Sequence, residues 1–373
     1  MTSNRTSTPT PPLLAAECAP SLPPEATDLR LIKILAWLST LADYPTIAAS
    51  MRPASADASF RRYFRVDRAS SGVTASGATA PDTLIVMDAP QPQEDVRPFI
   101  AIAGIFNDAG MSTPAILAQD VEQGFLLLSD MGPTTYLQQL NEENADANAL
   151  YLDAINALVT LQTHSKPDVL PEYDRAFLLK ELQIFSEWYI GKHLNVTLTT
   201  EQSASLEEVF NVILANNMAQ PQVYVHRDYH SRNLMVIPTG NPGVLDFQGA
   251  LYGPITYDLA SLLRDVYRSW DEAQILDWVI RYWERAKRVG LPVAPDIDTF
   301  YRDFEYMGLQ RHLKILGLFA RLKYRDGKPE YMQHIPQVMD YVRKAALRYR
   351  ELIPLVRLID KLEDTPQQIG YTF

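Results

Sequence analysis

Two short stretches hold residue types able to do chemistry, at a spacing that brings them together. "HRDYHSRN" runs from His226 to Asn233, and "LDFQG" from Leu245 to Gly249. Between them, "LMVI" reads as a strand, "PTGNPG" as a turn and "VLDF" as a second strand. Antiparallel pairing of the two strands sets Asn233 across from Asp246. Asp228, five residues before Asn233, lies on the loop entering the hairpin. Two carboxylates and an amide then converge, a hard oxygen set that suits Mg²⁺. Phosphoryl transfer uses this arrangement: in H-R-D-x-x-x-x-N the Asp takes or orients the acceptor proton and the Asn holds a metal ion, while the Asp of a following D-F-G holds metal on the phosphates. Either piece alone is a weak signal. Both, separated by a hairpin, are a strong one.

The elements that position this island divide the chain. Residues 1–27, dense in Pro, Ser and Thr, are expected to form a disordered arm. From Asp28, "DLRLIKILAWLSTL" spaces Leu31, Ile34, Leu35 and Leu38 as a helix behind a capping Asp. "SFRRYFRV", "TLIVMDA" and "GFLLLSD" read as strands, and "DVRPFIAIAGIFNDAG" as a helix stopped by Gly110. The expected order is strand, loop, strand, helix, strand, with the Ser/Gly/Ala-rich residues 69–81 as a flexible connection. Residues 28–130 thus form a small mixed lobe, and 131–373 a mainly helical one that contains the hairpin. The fold class is α+β and two-lobed.

The 373 residues carry a formal charge of -11, which argues against a surface built to neutralise nucleic acid or anionic lipid. Cys18, the only cysteine, excludes an internal disulfide or a cysteine metal site. No apolar run is long enough to span a bilayer and no signal peptide is legible, so a cytoplasmic location is expected. Nothing in the chain points to an obligate protein partner.

"HRDYHSRNLM" followed by "GVLDFQGALYGPITYDLASLLRD" resembles the aminoglycoside phosphotransferase and choline kinase superfamily, which shares the protein-kinase fold and phosphorylates small molecules. The similarity is closest to the bacterial anomeric kinases of N-acetylmuramate and N-acetylglucosamine. It also rests on "ADASFRRYFRV", "LIVMDAPQP", "GFLLLSDMG" and "QRHLKILGLFARLKYRDGK", and spans roughly residues 50–330. The resemblance implies ATP and Mg²⁺ as cofactors, Asp228 as catalytic base, and Asn233 and Asp246 as metal ligands. It also implies Leu128, Ser129, Asp130 and Met131 as the hinge against adenine, with His226 and Asp258 bracing the catalytic loop. As an ordinary residue, Asp258 is a helix N-terminal carboxylate favoured by the dipole.

One part of the pattern is broken. Kinases of this fold carry a lysine on the third strand, paired with a helix glutamate and the phosphates. Here that strand reads "TLIVMDA", and no lysine occurs between Lys33 and Lys166. Arg61, Arg62 and Arg65, directly after the small-residue loop "ASADAS", are the candidate replacements, with Glu94 as the helix partner. Their alternative is a solvated strand face.

Two rival readings compete. His226, Asp228 and His230 share a face if extended, and such a set can bind Zn²⁺ or Mn²⁺ in a hydrolase. Loss of the strand lysine also fits a nucleotide-binding scaffold that has given up catalysis, although such a protein need not keep Asp228, Asn233 and Asp246. For the acceptor, the lactyl carboxylate of N-acetylmuramate favours a nearby cation, and polycationic aminoglycosides favour carboxylates. Arg227, Arg264, Asp265 and Arg311 are the candidate substrate contacts, joined by Tyr267, His312 and Lys314. Each also reads as an ordinary helix or salt-bridge residue. An aminoglycoside or choline-type kinase is the alternative to an amino sugar kinase.

Overall fold

The computed structural model describes residues 28–55, 60–69 and 83–363. The Pro-rich segment with Cys18, most of the 69–81 connection and most of "ASADAS" lie outside the described residues. The first helix, α1 (Leu29–Ser39), starts where Asp28 accepts the N–H groups of Arg30 and Leu31. A five-stranded antiparallel sheet follows: β1 (Arg52–Ser55), β2 (Arg62–Asp67), β3 (Thr83–Asp88), β4 (Ile116–Asp120) and β5 (Phe125–Ser129), in the spatial order β1-β2-β3-β5-β4. Helix α2 (Arg97–Asp108) lies between β3 and β4 in the chain, and Gly110, at φ +78°, turns the chain out of it.

Three of these strands are those expected, and the two edges are additional. β1 carries Pro53, which has no N–H to donate and is tolerated where only one side of a strand is paired. β4 is interrupted by a register shift between Ile116 and Ala118, so its alternation is hidden in the sequence. Elsewhere the period of two divides the sheet. Val66, Leu84, Val86, Phe125 and Leu127 pack against Ile34, Trp37 and Leu38 of α1. Met87, Leu126 and Leu128, on the opposite face, join Phe99, Ile102 and Phe106 of α2.

The rest is mainly helical: α3 (Tyr136–Leu140), α4 (Ala147–Thr163), α5 (Arg175–Ile184), α6 (Thr200–Ala219), α7 (Tyr257–Leu263), α8 (Glu272–Arg288), α9 (Ile297–Tyr324), α10 (Ile335–Arg348) and α11 (Ile353–Leu362). α5 runs on into a π-helical stretch, Phe185–His193. The long α9 crosses that junction closely. A Cβ on Gly317 would stand 2.3 Å from the Ile184 carbonyl oxygen, so only glycine permits the approach. Among the described residues, no helix is long and apolar enough to cross a membrane.

Two strand pairs sit among the helices. β6 (Gln222–Val225) pairs with β9 (Leu251–Pro254), and β7 (Leu234–Met235) with β8 (Gly243–Val244). The second pair is the expected hairpin, with Leu234 opposite Val244. Phe247, just after it, packs on Phe99 and Phe106 of α2 at ring-centroid distances of 4.7 and 5.7 Å. That contact ties the hairpin to the small lobe.

Candidate active site

The loop leaving β6 is held from below. The N–H groups of His226 and Arg227 donate to the two oxygens of Asp258, at 2.6 and 2.9 Å. Arg227 has φ +79°, a backbone state that costs a non-glycine residue roughly 1–3 kcal/mol, and the two bonds to Asp258 hold it there. Burial raises the Asp258 carboxyl to about 7, against the pull of those same two donors. Burial likewise pushes the His226 imidazole down to about 4, so it is neutral at pH 7. Its Nδ1 accepts the Asp228 N–H at 3.2 Å, which leaves Nε2–H to donate to the Leu245 carbonyl at 2.9 Å. One ring thereby links the Asp228 loop to the Asp246 segment.

Burial alone raises the Asp228 carboxyl, but the positive field of Lys314, His230, Arg311 and Arg227 outweighs it and holds the group below its ordinary value. Asp228 is therefore ionised at neutral pH. Asn233 donates its Nδ2 to the Asp228 carbonyl at 2.9 Å and, more weakly, to Asp246 Oδ2 at 3.4 Å. Its amide oxygen, the acceptor, is thereby turned to the opposite side. Asp246 has φ +60°, and its Oδ1 accepts from the Gln248 amide at 2.5 Å. The Asp246 carboxylate, joined by the Asn233 amide oxygen once that amide turns over toward it, would be a hard donor set, and it fits Mg²⁺ better than a softer metal.

The rival reading of a histidine metal site finds no support at His226. Both ring nitrogens of His226 are engaged, one with the Asp228 N–H and one with Leu245, so neither is a ligand. No group of three His, Cys, Asp or Glu side chains among the described residues is placed to hold a metal.

A cleft of about 720 Å³ passes from the sheet to the helical lobe. Its lining takes Leu128, Ser129, Asp130 and Met131 from the end of β5 and the residues after it, Asp228, Asn233 and Asp246 from the loop and hairpin, and Leu318, Phe319 and Tyr331 from the helical lobe. Ile85 and Phe99 come from the sheet side, Met235 and Leu245 from the hairpin.

The three small-lobe arginines separate. Arg65 lines the cleft and is bound to Asp130 through Nε at 2.5 Å and Nη2 at 3.0 Å, while Nη2 also reaches the Gly132 carbonyl. Arg61 pairs with Glu94, Nε to Oε2 at 3.1 Å, and the Phe60 N–H donates to the other Glu94 oxygen. Arg62 is a correction. It lies on the α1 face of the sheet, fastened to Asp28 and to the wholly buried Asp88, which Arg30 also holds.

The expected substrate contacts are likewise redistributed, because each is taken up inside the helical lobe. Arg227 turns under the loop to Glu181 at 2.7 Å, over the rings of Phe177 and Tyr173. Lys314 meets the same Glu181 oxygen at 2.8 Å. Arg264 is buried against Glu305 and Glu272, at 3.0 and 2.9 Å. Arg311 is buried behind Asp228, where its charge acts through the field rather than by contact with the cleft. His312 donates to or accepts from nothing in the cleft; its Nε2 meets the Arg264 carbonyl. Asp265 is buried and holds the Ser231 N–H and hydroxyl with one oxygen and the Tyr267 N–H with the other.

Cleft residues that went unassigned in the sequence include Tyr63, Phe99, Arg232 and Tyr331. Arg232 stands immediately before Asn233, inside the most informative motif of the chain. Its position there was the available signal.

Comparison with known proteins bears on the family and the fold. A family model described as "Phosphotransferase enzyme family" matches residues 50–291. An N-acetylmuramate/N-acetylglucosamine kinase of Neisseria meningitidis serogroup B is 45% identical over 92% of this chain and 99% of its own length. One of the same description from Pseudomonas aeruginosa is 43% identical over 90% of this chain and 97% of its own. Among solved structures, a choline kinase from Streptococcus pneumoniae superposes with a TM-score of 0.59 at 13% identity, covering 84% of this chain and 99% of that one. An ADP-bound aminoglycoside phosphotransferase gives 0.56 at 14% identity, covering 85% and 99%. At those identities the structures speak for the fold alone, and the expected two-lobed α+β kinase-like architecture is the one found. By the extent of the family match and of the relatives, this chain belongs to the phosphotransferase enzyme family.

Proposed function

We propose that the enzyme transfers the γ-phosphate of ATP to the anomeric hydroxyl of an amino sugar, N-acetylmuramate or N-acetylglucosamine. The observation that carries this reading is Asp228: an ionised carboxylate lining the cleft, with Asn233 and Asp246 beside it and the Leu128–Met131 segment lining the same space. The acceptor class is supported by the relatives of 43% and 45% identity, which match over nearly the whole chain.

In the transfer, the sugar oxygen forms a bond to the γ-phosphorus as the bond from that phosphorus to the bridging oxygen of ADP breaks. The hydroxyl proton passes to Asp228. The base must come within hydrogen-bond reach of the hydroxyl, about 2.6–3.2 Å, with the phosphorus in line behind it. Mg²⁺, held by Asn233 and Asp246, would neutralise phosphate oxygens. Ile85 on one side and Met235 and Leu245 on the other offer apolar surfaces for the adenine ring.

Arg61 with Glu94 is the proposed replacement for the missing lysine pair. Tyr63 and Arg65 line the cleft, and Arg61, just before β2, continues their alternation in the sequence. Arg65 is at the hinge end, on Asp130. Extended chain over the four residues from Arg65 back to Arg61 reaches about 13 Å, toward where the phosphates of a hinge-bound nucleotide would lie.

The test is an assay with ATP and Mg²⁺ against N-acetylmuramate, N-acetylglucosamine, choline and an aminoglycoside, locating the product phosphate by ³¹P NMR. Phosphorylation of an amino sugar at the anomeric position is expected. Asp228→Asn should lower kcat about 10²- to 10⁴-fold with ATP affinity retained. Turnover of only choline or the aminoglycoside, or an active Asp228→Asn enzyme, would refute the reading.

A further inference from the structure

Every cation described above has a carboxylate or lies buried behind the loop, with one exception. Arg232 lines the cleft and is exposed, and among the described residues no carboxylate forms an ion pair with it. In a chain with 45 acidic and 34 basic residues, an unpaired guanidinium inside a pocket needs a reason.

Arg232 is also built into place. Its guanidinium carbon lies 4.7 Å from the centroid of the Tyr267 ring, and its side-chain partners are Tyr267 and Tyr331. Tyr267 is in turn packed edge-on against His230 and His334, at 5.5 and 5.1 Å. Asp265 fixes both sides of the arrangement: one oxygen takes the N–H and hydroxyl of Ser231, the residue before Arg232, and the other takes the Tyr267 N–H. A planar fork resting on an aromatic face loses little freedom when it binds, and it matches the two oxygens of a carboxylate. Leu318, Phe319 and Leu322 close the adjoining wall, which lowers the local dielectric and strengthens such a pair.

We propose that Arg232, positioned by Tyr267 and Asp265, is the receptor for a carboxylate on the acceptor, and that it sets the enzyme's preference for a carboxylate-bearing amino sugar over a neutral one. The inference rests on the reading of the protein as an amino sugar kinase. Of the two acceptors that reading names, N-acetylmuramate carries a lactyl carboxylate and N-acetylglucosamine does not. Arg232 lines the same cleft as Asp228, and its partners Tyr267 and Tyr331 belong to the helical lobe, whereas Leu128–Met131 leave the sheet.

Steady-state kinetics of wild type, Arg232→Ala and Arg232→Lys with both sugars test it. Arg232→Ala should raise KM for N-acetylmuramate about ten- to hundred-fold, the range for a charge-assisted bidentate contact, with kcat changed less than about threefold. Arg232→Lys should recover part of that loss. KM for N-acetylglucosamine and for ATP should stay within about twofold of wild type. The methyl ester of N-acetylmuramate closes the cycle: wild type should handle it as poorly as Arg232→Ala does, and the variant should not distinguish ester from acid. Equal losses on both sugars, or a raised KM for ATP, would assign Arg232 to the phosphates and overturn the proposal. Unchanged kinetics throughout would overturn it as well. Failure of the underlying reading looks different: wild type would then phosphorylate neither sugar.

Discussion

The arginines of strand β2 and those of the catalytic loop make an instructive pair of sets. On β2, Arg62 is sealed behind the sheet by Asp28 and Asp88, while Arg65 lines the cleft on Asp130 and Arg61, just before the strand, pairs with Glu94. On the loop, Arg227 is turned under and shares Glu181 with Lys314, while Arg232 faces the cleft with only aromatic partners. In each region one guanidinium is a strut and its neighbours look toward ligand. The difference lies in which way each guanidinium faces. An arginine turned away from the cleft has nothing to offer a phosphate or a substrate, and removing it should disturb stability. Removing one turned toward the cleft should disturb binding.

Glu181 gives the largest test of the strut half. Burial raises its carboxyl, yet Lys314 and Arg227 more than offset that and hold it below the ordinary value. A carboxyl lowered on folding stabilises the protein fully above its unfolded value near 4.5, and the contribution is lost as pH falls through the folded value. Glu181→Gln leaves two cations facing an amide and should cost about 3 kcal/mol at pH 7, the range for breaking a buried pair by removing one partner. Urea midpoints from pH 8 to pH 3 should show a constant gap between wild type and variant down to about pH 5, then a narrowing one. A gap that stays constant or widens in acid would mean the cluster is not ionised as described.

Arg61 comes next, on the ligand side. Arg61→Ala should weaken ATP binding about ten- to hundred-fold, with Arg61→Lys intermediate because lysine lacks the fork. Glu94→Gln, which removes only the positioning partner, should do less. Calorimetric titration with ATP and Mg²⁺ reads all three. Wild-type affinity in Arg61→Ala would return the phosphate-binding role to an unidentified group.

How far these roles could be read from the sequence depended on the range over which each is decided. Asp228, Asn233 and Asp246 fall within nineteen residues joined by one hairpin, and local strand and turn chemistry sufficed to bring them together. The placement of Arg62 on one strand face with Phe64 and Val66 was also legible. Which layer covers that face was not, because a period of two is silent about whether α1 or the cleft lies above it. Arg264 and Arg311 were visible as charges just after the hairpin and on a long helix. Their burial depends on Glu305, 41 residues from Arg264, and on the close passage of α9 past α5 at Gly317. Arg232 was in plain sight within the motif, but its value comes from Tyr267 and Tyr331, which only the fold brings to it.

The smallest effect is expected at Arg62, and it bears most directly on the comparison. Its side chain is 38% exposed, so solvent screens the two pairs it makes and their sum should be worth only about 1 kcal/mol. Arg30 remains to compensate the buried Asp88 when Arg62 is removed. Arg62→Ala should therefore lower the melting temperature by a few degrees and leave the KM for ATP within about twofold of wild type. The adjacent Arg61→Ala should show the reverse, with affinity lost and melting temperature nearly unchanged. Neighbouring residues of the same type, one step apart at the start of a strand, would then separate stability from binding by the side each faces. If Arg62→Ala instead lost ATP affinity, the α1 face would have to communicate with the phosphates through Asp88, and the division into strut and ligand-facing arginines would fail on this strand.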